Sequence, residues 1–295
     1  MIYFVKRSII DLIGRTPVVK FSQNKDVQVL IKLGGMNPSG SIKDVPVLSM
    51  IKDAESKGIL KKGDTIIEST SGNTGISLAM IGAVRGYKVV LVMPENVSIE
   101  RIKILRYYGA RLIFTPASEG SDGAIRKVRE IVRKTSFVYL NQYDNPANWK
   151  GHYEITGPMI WKQTQGKITH LVAGIGTGGT IVGTGKRLKE YNPDIKVIGV
   201  EPAKPQDIPG LKKISASIRP KIYDESVIDE KIIVSKEEAF KGGRAAAGRG
   251  MFLGISSGAA VFAGMKVAGR IKKGTVVVIS PDTGYKYLST ELFGD

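Results

Sequence analysis

The sequence predicts an α/β protein with a largely parallel sheet. Strand-like runs alternate with amphipathic helical stretches along most of the chain. Three small-residue turns, at residues 70–75, 174–180 and 254–260, each sit where a helix opens. A chain of 295 residues, 42% hydrophobic and 24% charged, is enough for one large or two modest domains with a real core.

Taken in order, residues 27–33 read as a strand and lead into Asn37-Pro38-Ser39-Gly40-Ser41-Ile42-Lys43-Asp44. Ser41 and Asp44 have capping-box spacing, which places Lys43 in the first turn of a helix that runs towards Gly58. There the helix dipole favours a free amine over an ammonium, and a free amine attacks aldehydes. A strand at 65–68, the turn at 70–75 and a helix to Gly86 follow. Then come a strand at 88–93, a helix at 99–108, a strand at 111–115, a helix at 124–134 and a strand at 137–140. Residues 142–148 are rich in turn formers and mark a candidate domain boundary. Beyond it lie a helix to about Gln165, a strand at 168–173, the turn at 174–179, a helix to about Tyr191 and a strand at 196–200. Residues 202–226 read as a long irregular loop, of a length that suits function. The end holds a strand at 231–234, two small-residue helices either side of 254–258, and a strand at 275–280.

Composition removes several chemistries. There is no cysteine, which rules out disulfides, thiolate catalysis and zinc–thiolate sites. His152 and His170 stand far apart without carboxylate spacing, so no metal site is expected. No Gly-x-Ser-x-Gly elbow signals a serine hydrolase. No apolar run is long enough for a membrane span, and residues 1–7 lack the order of a signal peptide, so a cytoplasmic address is expected. The net charge of +17 asks for anionic partners. Because the basic residues are scattered without an aromatic-interleaved block, acidic or phosphorylated metabolites are favoured over nucleic acid.

The turn Gly174-Ile175-Gly176-Thr177-Gly178-Gly179-Thr180 has the makings of an anion cradle, with bare amides and two hydroxyls at a helix start. The spacing of Gly174, Gly176 and Gly179, with Glu201 beyond, also matches a dinucleotide fingerprint. At 70–75, Ser71, Asn73 and Thr74 with the backbone amides suit a carboxylate, or Ser71 or Asn73 is a plain N-cap. Ser256 or Ser257 reads as the N-cap of the last turn. A nicotinamide dehydrogenase would use the turn at 174–180 and leave Lys43 and the 70–75 turn idle. A phosphorylated Schiff-base cofactor uses all of them.

These segments together resemble the cysteine synthases (O-acetylserine or O-phosphoserine sulfhydrylases), pyridoxal-phosphate enzymes of fold type II. The resemblance rests on Ile13 to Pro17, Asn37 to Asp44, Thr70 to Gly75, Gln142 with Asn145 to Asn148, Gly174 to Thr180, Gly254 to Ala260 and Tyr287 to Thr290. The tail, through Ile208-Pro209-Gly210, residues 220–224 and residues 284–290, is similar to the B-type enzymes. The segment before Gly254 departs from the A-type pattern, and Val45 stands where arginine is usual.

The resemblance implies a tryptophan-synthase-β-like architecture of two doubly wound α/β domains with pyridoxal 5'-phosphate in the cleft. Residues 1–34 and 147–295 would form a large cofactor-binding domain, and 35–146 a smaller mobile substrate-binding domain. It implies an internal aldimine on Lys43, which then serves as base. Asn73 would hold the ring oxygen, Gly176, Thr177, Gly178, Gly179 and Thr180 the phosphate, and Ser256 the pyridine nitrogen. A neutral hydroxyl at that nitrogen makes a milder electron sink than an aspartate partner, suited to β-elimination. Thr70, Ser71, Gly72, Thr74 and Gln142 would grip the substrate carboxylate, and Lys212 and Arg219, with Lys213 and Lys221 nearby, would meet a phosphoserine leaving group. The implied reaction is β-replacement on an activated serine through an α-aminoacrylate, with sulfide adding to give L-cysteine. The alternatives are a cystathionine β-synthase, a dehydrogenase and a basic nucleic-acid module. The family further implies a homodimer without membrane or nucleic-acid partners, and leaves binding to serine acetyltransferase open.

Overall fold

The computed structural model describes residues 5–70, 72–205 and 208–290. Its strands are β1 (Val18–Gln23), β2 (Val27–Leu33), β3 (Thr65–Ser69), β4 (Lys88–Pro94), β5 (Arg111–Thr115), β6 (Val138–Tyr139), β7 (His170–Gly174), β8 (Lys196–Pro202), β9 (Glu230–Val234) and β10 (Gly274–Ser280). The α-helices are α1 (Asp44–Ser56), α2 (Asn73–Arg85), α3 (Ile99–Tyr107), α4 (Gly120–Val132), α5 (Ala147–Gly151), α6 (Gly157–Gln163), α7 (Gly179–Tyr191), α8 (Lys236–Ala247) and α9 (Ile255–Arg270).

Two sheets organise the molecule. A six-stranded sheet runs in the order β1-β2-β10-β7-β8-β9, parallel except for the antiparallel β1–β2 edge pair. A four-stranded sheet runs β5-β4-β3-β6, all parallel. Both are covered on two faces, so their central strands are apolar throughout rather than alternating. In β10, Val276, Val277, Val278 and Ile279 are all 0–1% exposed. Val276 and Val278 pack on the side of Ala260 and Val267 of α9, and Val277 and Ile279 on that of Ile181 and Leu188 of α7. In the smaller sheet Ile66 and Leu91 face the α1–α2 side, whereas Ile67, Val90 and Val92 face Val128 of α4.

The core beneath the smaller sheet also takes in Ile10, Ile13 and Ala147, from outside residues 35–146. The carboxyl ends of β2, β3, β7 and β10 lead into the turns that line one cleft, where open α/β sheets place their ligands. The stretch 147–163 is one continuous helical run, as the sequence suggests, but it is not α-helical throughout. A π-helical turn at His152–Thr156 separates α5 from α6. Strand β1 carries no clean alternation because a bulge breaks its register between Lys20 and Ser22.

Candidate active site

Lys43 arrives on a turn pinned to both halves of the cleft. Asn37 accepts from Gly14 N–H (2.7 Å) and donates to the Gly34 carbonyl (2.8 Å), closing the turn onto the chain before it. Ile42 N–H donates to the Pro281 carbonyl (2.8 Å), tying the turn to the end of β10. The Ser41–Asp44 capping box does not form. Lys43 itself is the N-cap residue and no side chain caps α1. Asp44, fully buried, instead accepts from Ser39 N–H (2.8 Å), Ser39 Oγ and Ser77 Oγ (2.5 Å), binding α1 to α2. Burial depresses the Lys43 amine from 10.5 to about 8, and the Asp282 carboxylate partly opposes this. Desolvation, a cause the spacing did not suggest, thus brings the free amine within reach of neutral pH.

Lys43 lies in the wall shared by two adjoining cavities of about 50 and 430 Å³. The smaller is framed by the start of α7. The N–H groups of Gly176, Thr177 and Gly178 have no acceptor among the described residues, as expected ahead of a first helical turn. Gly178 is left-handed at φ +88°, and a Cβ on Gly176 would stand 2.7 Å from the Gly210 carbonyl oxygen. Thr180 Oγ1 meets His152 Nε2 at 3.2 Å. Burial and the neighbouring Lys43 lower His152 to about 3, so its ring is neutral. Gly179 begins the helix behind this wall, against Asn148. Ser256, Asn73 and Leu211 complete the cavity. Ser256 is the second residue of α9, whose N-cap is Gly254 without a side-chain bond. Ser257 Oγ donates to the Asp282 carbonyl (3.0 Å) instead of capping. A lysine amine, a cradle of free N–H groups, a neutral hydroxyl and an amide suit a phosphorylated aromatic aldehyde.

The larger cavity holds the start of α2, with Thr70, Gly72, Asn73 and Thr74 in its wall. Ser71 lies outside the described residues. The N-cap is Gly72 and no side chain caps the helix, which leaves the polar side chains to other partners. Thr74 Oγ1 donates to Gln142 Oε1 (2.8 Å), and Gln142 Nε2 donates to the Ser69 carbonyl (3.3 Å). Beneath them Glu68, fully buried, accepts from Ser69 N–H (3.1 Å) and Gln142 N–H (3.3 Å). Burial raises its carboxyl from 4.5 to about 8, so it is mostly protonated at neutral pH.

Of the loop cations, Lys212 lines the larger cavity, its ammonium 4.9 Å from the Tyr143 ring centroid. Arg219 is not among the described residues lining either cavity. It pairs with Glu225 (3.4 Å) in an exposed setting and lies over Tyr223. Sequence reasoning missed Asp282, Lys286 and Arg101. Arg101 lines the larger cavity and lies over Tyr287, and Asp282 and Lys286 bracket Asn73. None has a local signature, since each acquires its neighbours only when the chain end folds back onto α2 and α3. Among the described residues, no cluster of three or more acidic, histidine or cysteine side chains can hold a metal ion. No described helix is long and apolar enough to cross a membrane.

A model of the family described as pyridoxal-phosphate dependent enzymes matches residues 9–282. A cysteine synthase of Aquifex aeolicus is 51% identical over 304 aligned positions, covering 98% of this chain and 93% of that protein. A cysteine synthase B of Pseudomonas aeruginosa is 41% identical, with 97% of each chain covered. Among solved structures, the cysteine synthase (OASS) of Entamoeba histolytica superposes with a TM-score of 0.93 at 37% identity, covering 99% of this chain and 92% of that one. The chain belongs to the pyridoxal-phosphate dependent enzyme family.

Proposed function

We propose that this member of the pyridoxal-phosphate dependent enzymes is a cysteine synthase, replacing the β-substituent of an O-activated serine with sulfide to give L-cysteine. The observation that carries the reading is the position of Lys43, between the anion cradle of α7 and the carboxylate-suited start of α2. The names of the relatives point the same way. Pyridoxal phosphate, when bound, supplies an aldehyde for the lysine and an electron sink for the substrate's α-carbon.

Lys43 anchors the cofactor and then, as a free amine, takes the α-proton. Loss of the β-substituent as acetate or phosphate opens the β-carbon to sulfide, and the Lys43 ammonium returns the proton to the α-carbon. Gly176, Thr177, Gly178, Gly179 and Thr180 would hold the cofactor's phosphate, Asn73 would hold its ring oxygen and Ser256 would partner its ring nitrogen. Thr70, Gly72, Thr74 and Gln142 receive the substrate carboxylate, a role the sequence extends to Ser71. Residues 35–146 moving on the remainder would close the larger cavity and exclude water.

Lys212 favours a β-substituent that is already charged, a phosphoryl ester over an acetyl ester, because it faces the cavity whereas Arg219 pairs with Glu225. The test is the visible spectrum of the holoenzyme with O-acetylserine or O-phosphoserine and no sulfide, followed by cysteine production once sulfide is added. A donor that shifts the band and yields cysteine identifies the leaving group. A protein that takes up pyridoxal phosphate but responds to neither donor overturns the reading. Preference for O-phosphoserine that is lost in Lys212→Ala and retained in Arg219→Ala assigns the loop its role. A homodimeric, cytoplasmic enzyme fits the same reading, and sedimentation of the holoenzyme checks the dimer.

A further inference from the structure

We propose that Lys286 is a positioning residue that acts through Asn73, fixing which end of that amide faces the cofactor. The proposal rests on the assignment of Asn73 to the cofactor's ring oxygen. Lys286 is 4% exposed, and its ammonium donates to Asn73 Oδ1 (2.9 Å) and to the Gly40 carbonyl (3.0 Å). On the other side of the amide, Asn73 Nδ2 donates to Asp282 Oδ2 (2.8 Å). That same oxygen accepts from the Tyr287 hydroxyl (2.6 Å), and Asp282 is 0% exposed.

The donor and acceptor chemistry admits one orientation. An ammonium can only donate and a carboxylate can only accept. A flipped Asn73 would set its NH2 against the ammonium and its carbonyl oxygen against a carboxylate oxygen. In the observed orientation one Nδ2–H goes to Asp282. The second has no acceptor among the described residues, and Asn73 lines both cavities. Lys286 is absent from the described lining of either cavity, so it reaches the site only through the residues it holds. Hydrogen bonds to charged groups at both ends also polarise the amide, strengthening its remaining donor. A donor held at the ring oxygen favours that oxygen's ionised form, which absorbs in the visible. Its loss favours the protonated, near-ultraviolet form.

The contact with Gly40 offers a rival role, a strap on the turn that carries Lys43. The experiment separates the two by comparing wild-type holoenzyme with Lys286→Met, Lys286→Arg, Asn73→Ala and the double variant Lys286→Met/Asn73→Ala. The readouts are the visible to near-ultraviolet absorbance ratio and cofactor retention on equilibrium dialysis. Lys286→Met is expected to lower the ratio and weaken retention roughly tenfold, the scale of one charge-assisted hydrogen bond. Lys286→Arg restores most of both. In the Asn73→Ala background Lys286→Met adds less than about twofold, because the residue it acts through is gone. An undiminished effect in that background makes Lys286 a strap and overturns the proposal. So does a wild-type spectrum in Lys286→Met beside a shifted one in Asn73→Ala. If Asn73→Ala itself changes neither readout, the assignment of Asn73 fails and this proposal with it. Should Lys286→Met not fold, Lys286→Gln, which loses the charge but keeps an NH2 donor, is expected to shift both readouts in the same direction by less, and a shift undiminished in the Asn73→Ala background overturns the proposal.

Discussion

Two helix starts face each other across the cleft, and they are built on opposite principles. In the function proposed above, recognition at α7 is left to the backbone. Free N–H groups stand in a turn whose glycines are required by left-handed geometry at Gly178 and by close approach to Gly210 at Gly176. At α2 the side chains do the work, and each is held by another residue: Thr74 by Gln142, Gln142 by Ser69, Asn73 by Asp282 and Lys286. A backbone cradle suits a group that stays bound, because it needs no rotamer to be fixed. A side-chain cradle suits a group that comes and goes, at the cost of a supporting layer to orient it.

If this division is right, substitutions should sort by which start they touch. Lys43→Ala, which removes the amine from the wall that the two cavities share, is expected to abolish the visible chromophore and lower kcat by more than about a thousandfold. A yellow, active Lys43→Ala protein would break the comparison at its centre. Gly176→Ala puts a Cβ 2.7 Å from the Gly210 oxygen, a contact that cannot be met without moving backbone. The expected outcome is cofactor retention weakened about a hundredfold, read by dialysis, with KM for the serine donor little changed once cofactor is in excess. Gln142→Ala is the mirror case. It removes the partner of Thr74, so KM for the donor should rise on the order of tenfold while cofactor retention stays within about twofold. A Gln142→Ala protein that loses cofactor instead would show that the two starts do not act separately.

The α7 start was legible in the sequence for the reason that makes it work. A glycine forced by backbone geometry leaves a mark at its own position, so the 174–180 pattern could be read without knowing what it packs on. The strand–helix alternation was legible on the same ground, since period and punctuation are local. What escaped was non-local. Ser41 and Asp44 have capping spacing, yet Asp44 is taken by Ser39 and Ser77, the latter 33 residues away. Ser256 and Ser257 look like caps, yet Ser257 answers to Asp282. Lys212 and Arg219 were equal candidates in the loop, and only the fold separates them, by giving Arg219 a glutamate. Asp282 and Lys286 sit in or beside a tail whose likeness to a family assigned neither of them a role, and they matter because it folds back onto residue 73.

The smallest expected effect sits under the α2 start and concerns pH. Glu68 is buried beneath Gln142 and titrates near 8 rather than 4.5. Its folded value lies above its unfolded one, so between those values the folded chain holds a proton that the unfolded chain releases. The stability contributed by the neutral acid is thus fully present below about 4.5, falls as pH rises through that window and is lost by about 8. The same ionisation places a negative charge under the backbone N–H of Gln142, close to where the substrate carboxylate is assigned. KM for the donor should therefore rise a few-fold between about pH 7 and 9, with kcat carrying a separate dependence from Lys43. Glu68→Gln cannot ionise, and its single carbonyl oxygen serves one of the two N–H groups that Glu68 accepts on separate oxygens, so it should lower stability at every pH while flattening the KM profile and the stability slope together. Cofactor retention in that variant should not follow pH any differently from wild type, since the α7 cradle has no part in it. A KM rise that persists in Glu68→Gln would move the titrating group elsewhere and leave the α2 start neutral at every pH tested.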